Sequence, residues 1–300
     1  KMFANRFATN PTSFKTVGSL FMKNSLKTTG LSRNFMSANS LGSSPSLKSS
    51  KSLFATAARS FSSLPPYFKN YMQIFEESGS MERIIPRKVE NYKDLENMGC
   101  LMYQKLDPDV PMVNKALLDT FYELIDCGGK RWRPVYGMLM ASDYGVDVND
   151  HKNNTLLYDL LAVGEMLHNA SLILDDVEDK SLMRRGKPCA YITYGSDVAI
   201  NMGCFVMTNI TYTVMNKLKI EPLELRYRIA QEVAKEITCL HFGQNWDICW
   251  HNNWNFPNEN DYFQMTASKT GVIPRMIATT VNMMYGADDE KIRRIQHMTD

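Results

Sequence analysis

"LLYDLLAVGEMLHNASLILDDVEDKSLMRRGKP", residues 156–188, decides how this chain is read. Apolar side chains stand at 156, 157, 160, 161, 163, 166, 167, 170, 172, 173 and 174. That band is too broad for one amphipathic stripe, so the spacing predicts a helix buried on most of its sides. Asp175, Asp176, Glu178 and Asp179 then fall within five positions, and Arg184 and Arg185 follow after a gap of four. Most clusters of mixed charge are solvated helix faces. At the end of a buried helix the same carboxylates enter a cleft or the interior, where they need a metal or a cationic partner.

Working outward, helical periodicity covers 110–126, 131–145, 153–179, 196–217, 221–247 and 259–286, and another helix starts at Asp288. "CGGKRWRP" (127–134) separates the first two: Gly128 and Gly129 permit a turn, and Pro134 suits a first helical turn. "HNNWNFPNEND" (251–261) reads as a loop, with Asn258 or Asn260 as the cap of the next helix. Strand patterns are nearly lacking after residue 66. The expected architecture is all-α, a single domain of long antiparallel helices.

The bulk numbers exclude several classes. A hydrophobic fraction of 44% supports a substantial core, and no apolar run reaches the 18 or so residues of a membrane span. Six scattered cysteines without CxxC pairs read as reduced thiols. The net charge of +2 hides an asymmetry. Residues 1–61 carry nine Lys and Arg and no acid; the rest carries 25 basic against 32 acidic side chains. A net-acidic body gives no reason to expect nucleic acid. The basic, Ser-rich, acid-free beginning has the composition of an organellar address, so residues 1–61 are expected to be a mitochondrial (matrix) transit peptide cleaved after Phe61 in "ARSFSSLPPY". Residues 62–95 are then an N-terminal extension, and 96–300 the catalytic domain.

The charged residues suggest the chemistry. On a helix Asp175 and Asp179 lie one above the other, with Asp176 beside them. Such carboxylates suit Mg²⁺, with Mn²⁺ as a substitute, and Mg²⁺ completes its shell with substrate phosphates. Arg184 and Arg185 offer forks for phosphate oxygens. Acid, cation and arginine together describe a diphosphate site. "GGKRWRP" provides a second anion site through Lys130, Arg131 and Arg133. His168 lies two turns before Asp175 on the same face. Gln244 and Asp247 share a helix face in "HFGQNWDICW", and "SKTG" places Lys269 and Thr270 mid-helix among apolar neighbours.

In order along the chain, "GGKRWRP", "EMLHNASLILDDVEDKSLMRRGKP", "YGSDVAINMG", "GQNWDICW" and "SKTG" resemble the trans-isoprenyl diphosphate (polyprenyl) synthases. The eukaryotic geranylgeranyl diphosphate synthases are the variety most similar, over about residues 100–300. The resemblance implies the isoprenoid synthase fold and a Mg²⁺-dependent prenyltransferase that condenses isopentenyl diphosphate with an allylic diphosphate. It also implies a homodimer, or a heterodimer with a paralogue. By the same resemblance Asp175, Asp176 and Asp179 hold the metal against the allylic diphosphate, which Arg184, Lys269, Thr270 and Gln244 contact. Lys130, Arg133, His168 and Arg185 hold isopentenyl diphosphate. Ala170 and Ser171, small and one turn before the aspartates, are expected to let the product grow to geranylgeranyl diphosphate or longer.

Two departures from the family pattern stand out. A second aspartate-rich motif, which the family carries on a later helix, would begin just past Asp300, so the domain reads as truncated before it. Tyr191 stands where the family often has His. The departures leave two rivals: a catalytically silent family member serving as a regulatory or structural subunit of a mitochondrial assembly, and a terpene synthase on the same scaffold. Retention of Lys130, Arg133 and His168 argues against the latter, which has no use for isopentenyl diphosphate.

Overall fold

A computed structural model describes residues 65–99, 110–252 and 256–299, and the expected transit peptide with its cleavage site lies outside them. In chain order the helices are α1 (Pro66–Glu77), α2 (Ser80–Ile84), α3 (Tyr92–Asn97), α4 (Val110–Val113), a π-helical stretch (Asn114–Asp119) and α5 (Thr120–Asp126). Then come α6 (Trp132–Ser142), α7 (Thr155–Glu178), α8 (Ala190–Tyr194), α9 (Ser196–Asn216) and α10 (Leu223–His251). The last are α11 (Glu259–Lys269), α12 (Val272–Met284) and α13 (Asp289–Thr299). The one sheet among the described residues is a two-residue ladder, β1 (Met183–Arg184) against β2 (Lys187–Pro188).

The apolar run upstream of the aspartates is α7, and it is the axis of the bundle. It packs against α2, α6, α9 and α12. Leu157, Tyr158, Leu161, Val163, Met166 and Leu167 are fully buried. Each such side chain is worth about 1.5–3 kcal/mol relative to exposure. The broad apolar band thus has its cause: helices cover α7 on several sides. Phe75, Ile84, Ile85, Val89 and Leu95 enter the same core, so residues 66–97 are built into the bundle.

By length and composition α9 alone among the described helices would suffice to cross a membrane, yet half of that window is buried inside the fold. Its buried Asn209 donates to the Met98 carbonyl at 2.7 Å, and its inner face packs on α7. A core helix of a bundle accounts for the composition.

The structure corrects two expected helices. The span 259–286 is two helices, broken at Thr270 and Gly271. Pro274 has no N–H to donate back to Thr270, which favours a new start. The Thr270 and Gly271 amides both close onto the Thr266 carbonyl, at 2.8 and 3.1 Å, which ends α11. Lys269 and Thr270 therefore stand at a helix end, not mid-helix. Asn258 caps α11 as expected, in a reciprocal box with Asp261. Residues 110–126 pass through a π turn, where the Asn114 side chain bonds both the N–H and the carbonyl of Val89, at 2.8 and 2.9 Å.

Candidate active site

The start of α6, the last turns of α7, α9, the C-terminal half of α10, the end of α11 and the start of α12 enclose a cleft of about 660 Å³, counted to its open mouth. Arg133, His168, Ser171, Asp175, Gln244, Lys269 and Thr270 line it, with Leu172, Leu174, Met207, Leu240 and Ile273 as the apolar wall. Seven of the residues singled out in the sequence thus meet in one space, brought there by four helices.

Asp175 is the hub of the acidic side. Its Oδ1 accepts from Lys269 Nζ at 3.1 Å and from Gln244 Nε2 at 3.2 Å, and its Oδ2 from Arg184 Nη2 at 3.3 Å. Gln244 also donates to Glu178 at 2.7 Å, and Lys269 to Asp247. Burial alone would lower the Lys269 pKa, but the bonds to Asp247 and Asp175 outweigh it and hold the ammonium charged. Asp179 caps α7; burial, then the nearby Asp175 charge, raise its pKa. Asp175 and Asp179 are thus oxygen donors for which a divalent cation would relieve mutual repulsion. Among the described residues no three His, Cys, Asp or Glu converge into a complete metal cage. Two carboxylates with substrate oxygens as the remaining ligands is the arrangement that suits a hard, strongly hydrated ion.

The close approach of α10 to α11 fixes this geometry. A Cβ on Gly243 would lie 2.4 Å from the Lys269 backbone nitrogen and 2.6 Å from the Ser268 carbonyl carbon. Only a bare Cα lets the two helices meet closely enough to set Gln244 and Lys269 on the same carboxylate oxygen.

The opposite side is basic. Arg133 is largely buried with its Nε in no hydrogen bond, and burial, reinforced by Arg185, lowers its pKa. His168 is pushed down to about 3 by burial and then by Arg133 and Arg185, so it is neutral. Arg185 donates to the Leu124 carbonyl at 3.0 Å. Buried polar groups are nearly always paired, so the Arg133 Nε stands out; its guanidinium lies 4.7 Å from the centre of the Trp132 ring. Lys130 is exposed on the turn before α6 and makes no bond to this group.

Arg131, read in the sequence as part of the anion site, belongs instead to the scaffold. At a left-handed φ of 45° it turns inward, to Glu76 at 2.7 Å, Glu165 at 3.0 Å and the Ile125 carbonyl at 3.0 Å. Asp176, itself buried, also lies off the cleft and pairs with the half-buried Arg184. Ala170 is fully buried in the main core and does not line the cleft, whereas the adjacent Ser171 does. Sequence reasoning passed over Glu165, counted Glu178 in the acidic cluster without giving it a role, and saw Asp247 only as a neighbour of Gln244. An acid inside an apolar run was the available signal for Glu165.

Comparison with known proteins bears on the family and the fold. The polyprenyl synthetase family model matches residues 114–300. A geranylgeranyl pyrophosphate synthase of Eremothecium gossypii is 37% identical over 57% of this chain and 50% of its own length. That of Dictyostelium discoideum is 34% identical over 53% of this chain and 48% of its own. Fusoxypene synthase of Fusarium oxysporum is 37% identical over 44% of this chain but only 18% of its own. The chain thus spans half or less of the length of these relatives. Among solved structures, a geranylgeranyl pyrophosphate synthetase from Pyrococcus horikoshii matches 78% of this chain and 63% of its own, with a TM-score of 0.60 and 22% identity. An FPP/GFPP synthase from Zymomonas mobilis matches 77% of each chain, with a TM-score of 0.61 and 17% identity. These two share the all-helical fold.

Proposed function

Because the chain belongs to the polyprenyl synthetase family, we propose that it is a prenyltransferase joining isopentenyl diphosphate to an allylic diphosphate. The observation that carries this reading is the two-sided cleft: an acidic hub at Asp175 and, across from it, Arg133, whose buried Nε makes no hydrogen bond, beside a neutral His168. One diphosphate needs carboxylates, a cation and arginine; the other needs only positive charge. A single-substrate enzyme has no use for both.

In this reading Asp175 and Asp179 would hold Mg²⁺, whose charge would offset that of the allylic diphosphate as leaving group. Lys269, Arg184 and Gln244 turn their donors to the same diphosphate, in place of their bonds to Asp175. Positive groups aimed at the leaving oxygens stabilise charge that grows only in the transition state. Arg133, with Arg185 and the exposed Lys130, binds the diphosphate of isopentenyl diphosphate, and neutral His168 adds a hydrogen bond. The isopentenyl double bond attacks the allylic carbon, a C–C bond forms, and a proton leaves to the released diphosphate. Holding both substrates in register supplies much of the rate. Leu172, Leu174, Met207, Leu240 and Ile273 give the growing chain a dry wall, and Ser171 leaves it room for twenty carbons or more.

Residues 1–61 carry the protein to the mitochondrial matrix in this account, and a second copy or a paralogue completes the assembly. The test is incorporation of labelled isopentenyl diphosphate into extractable prenyl diphosphate by the full-length protein. Incorporation that needs both substrates and stops in excess chelator supports the reading; none with any allylic partner sinks it. The terpene synthase of Matsumurasca onukii, 31% identical over 61% of this chain, keeps a second reading open. Hydrocarbon formed from an allylic diphosphate alone would establish that one.

A further inference from the structure

Arg131, Trp132 and Arg133 follow one another where α6 begins, and each meets different surroundings. Arg131, at the left-handed turn, is held by Glu76, Glu165 and the Ile125 carbonyl. That anchors the backbone just before Trp132, the first residue of α6. Arg133 comes next and lines the cleft, whereas Trp132 does not. The Arg133 guanidinium carbon lies over the Trp132 ring, 4.7 Å from its centre.

Arg133 needs such a partner. Burial disfavours its charge and Arg185 repels it; Glu165 attracts it, but that acid is already bonded to Arg131. The cations are crowded here: a Cβ on Gly129 would lie 3.0 Å from Arg131 Nη1 and 3.5 Å from Arg185 Nη2. Among the described residues Arg133 pairs with no carboxylate, and its buried Nε makes no hydrogen bond. A ring face attracts a cation through its quadrupole, tryptophan most strongly, and more so where water is excluded. It brings no counter-charge. A carboxylate in its place would hold the guanidinium but cancel the charge that a substrate anion is to meet, as happens at Arg131.

Resting on the proposed two-substrate reading, we infer that Trp132 is a positioning residue for isopentenyl diphosphate: its ring holds Arg133 at the cleft and leaves the guanidinium charge for that substrate. The diphosphate of isopentenyl diphosphate stays attached throughout the reaction, so its contact with Arg133 is the same in the ground state and the transition state. Weakening such a contact raises KM and leaves kcat alone. Trp132 is itself 38% exposed, so shortening it opens no cavity in the core.

Steady-state kinetics of the full-length protein with Mg²⁺, each substrate varied at saturation of the other, test this. Trp132→Leu keeps an apolar side chain without a ring face. It should raise KM for isopentenyl diphosphate about 5–30-fold, the equivalent of roughly 1–2 kcal/mol, with kcat and the allylic KM at wild-type values. Trp132→Phe keeps a weaker face and should fall between the two; it serves by itself should Trp132→Leu fold poorly. Fluorinated tryptophan has nearly the same shape and a weaker quadrupole, so it should raise the same KM in the wild type and not in Trp132→Leu. In an Arg133→Met background Trp132→Leu should add nothing, since residues acting through one another are not additive. An isopentenyl diphosphate KM unmoved by Trp132→Leu or by fluorination, an equal rise for both substrates, or a full second loss in the double variant would overturn the assignment. Wild-type protein that condenses no isopentenyl diphosphate would instead sink the proposed function, and this inference with it.

Discussion

Gly243→Ala is the smallest change that should disable the cleft. The added methyl would lie 2.4, 2.6 and 2.8 Å from three backbone atoms of Ser268 and Lys269, none of which can swing aside as a side-chain tip would. Ordinary contact begins near 3.4 Å, so α10 and α11 must separate by about 1 Å. Gln244 is the next residue on one helix and Lys269 ends the other; both would leave Asp175 by about that distance. A misplacement of about 1 Å costs on the order of 100-fold in rate. Overpacking adds roughly 1–3 kcal/mol of destabilisation. The control is Gly137→Ala, whose methyl would meet Leu161 and Ile277 side chains in the core, away from the cleft. Turnover should be measured on folded protein at a temperature well below both midpoints, with thermal melts alongside. Gly243→Ala should lose turnover far beyond its loss of stability, and Gly137→Ala should lose stability alone. Wild-type turnover in Gly243→Ala would refute the helix-approach argument.

Arg133→Lys should raise KM for isopentenyl diphosphate and leave that for the allylic substrate nearly unchanged, because a point charge replaces a fork; equal rises would contradict separate sites. His168 titrates at 6.5 in the unfolded chain and is held to about 3 in the folded one, mainly by burial. The unfolded state therefore binds an extra proton between those values, so the contribution is whole above pH 6.5 and is lost as pH falls towards 3. Urea denaturation at pH 7 and pH 5 should show a loss that His168→Gln reduces; an identical loss would refute the burial effect. Ser171→Phe should shift the chromatographed, dephosphorylated products to shorter chains, since Ser171 and not Ala170 lines the cleft. A reporter fused behind residues 1–61 should enter mitochondria and be trimmed near Ser62, and a cytosolic, intact fusion would refute the address.

The sequence made the central helix legible because burial on many sides leaves a broad apolar band, and α7 is covered on many sides. The acidic pair was legible because helical spacing alone stacks Asp175 on Asp179. The break at Thr270 was written as Pro274, but apolar periodicity continues across it and masks the stop. What the sequence could not show was partner choice. Arg131 and Arg133 are two residues apart in one basic motif, yet one is neutralised by Glu76 and Glu165 and the other meets no carboxylate among the described residues and lies over the Trp132 ring. That difference depends on acids distant along the chain and on a left-handed turn at Arg131. The same holds for Asp176, whose neighbour faces the cleft while it faces Arg184. Charge type and spacing locate a site; only packing assigns its members.

The most direct test of a two-substrate cleft is release of inorganic diphosphate by the full-length protein with Mg²⁺, measured with each substrate alone and with both. The account predicts sustained release only when isopentenyl diphosphate and an allylic diphosphate are present together, at a rate that Arg133→Lys lowers. Sustained release from the allylic diphosphate alone, or none with both substrates present, would contradict it.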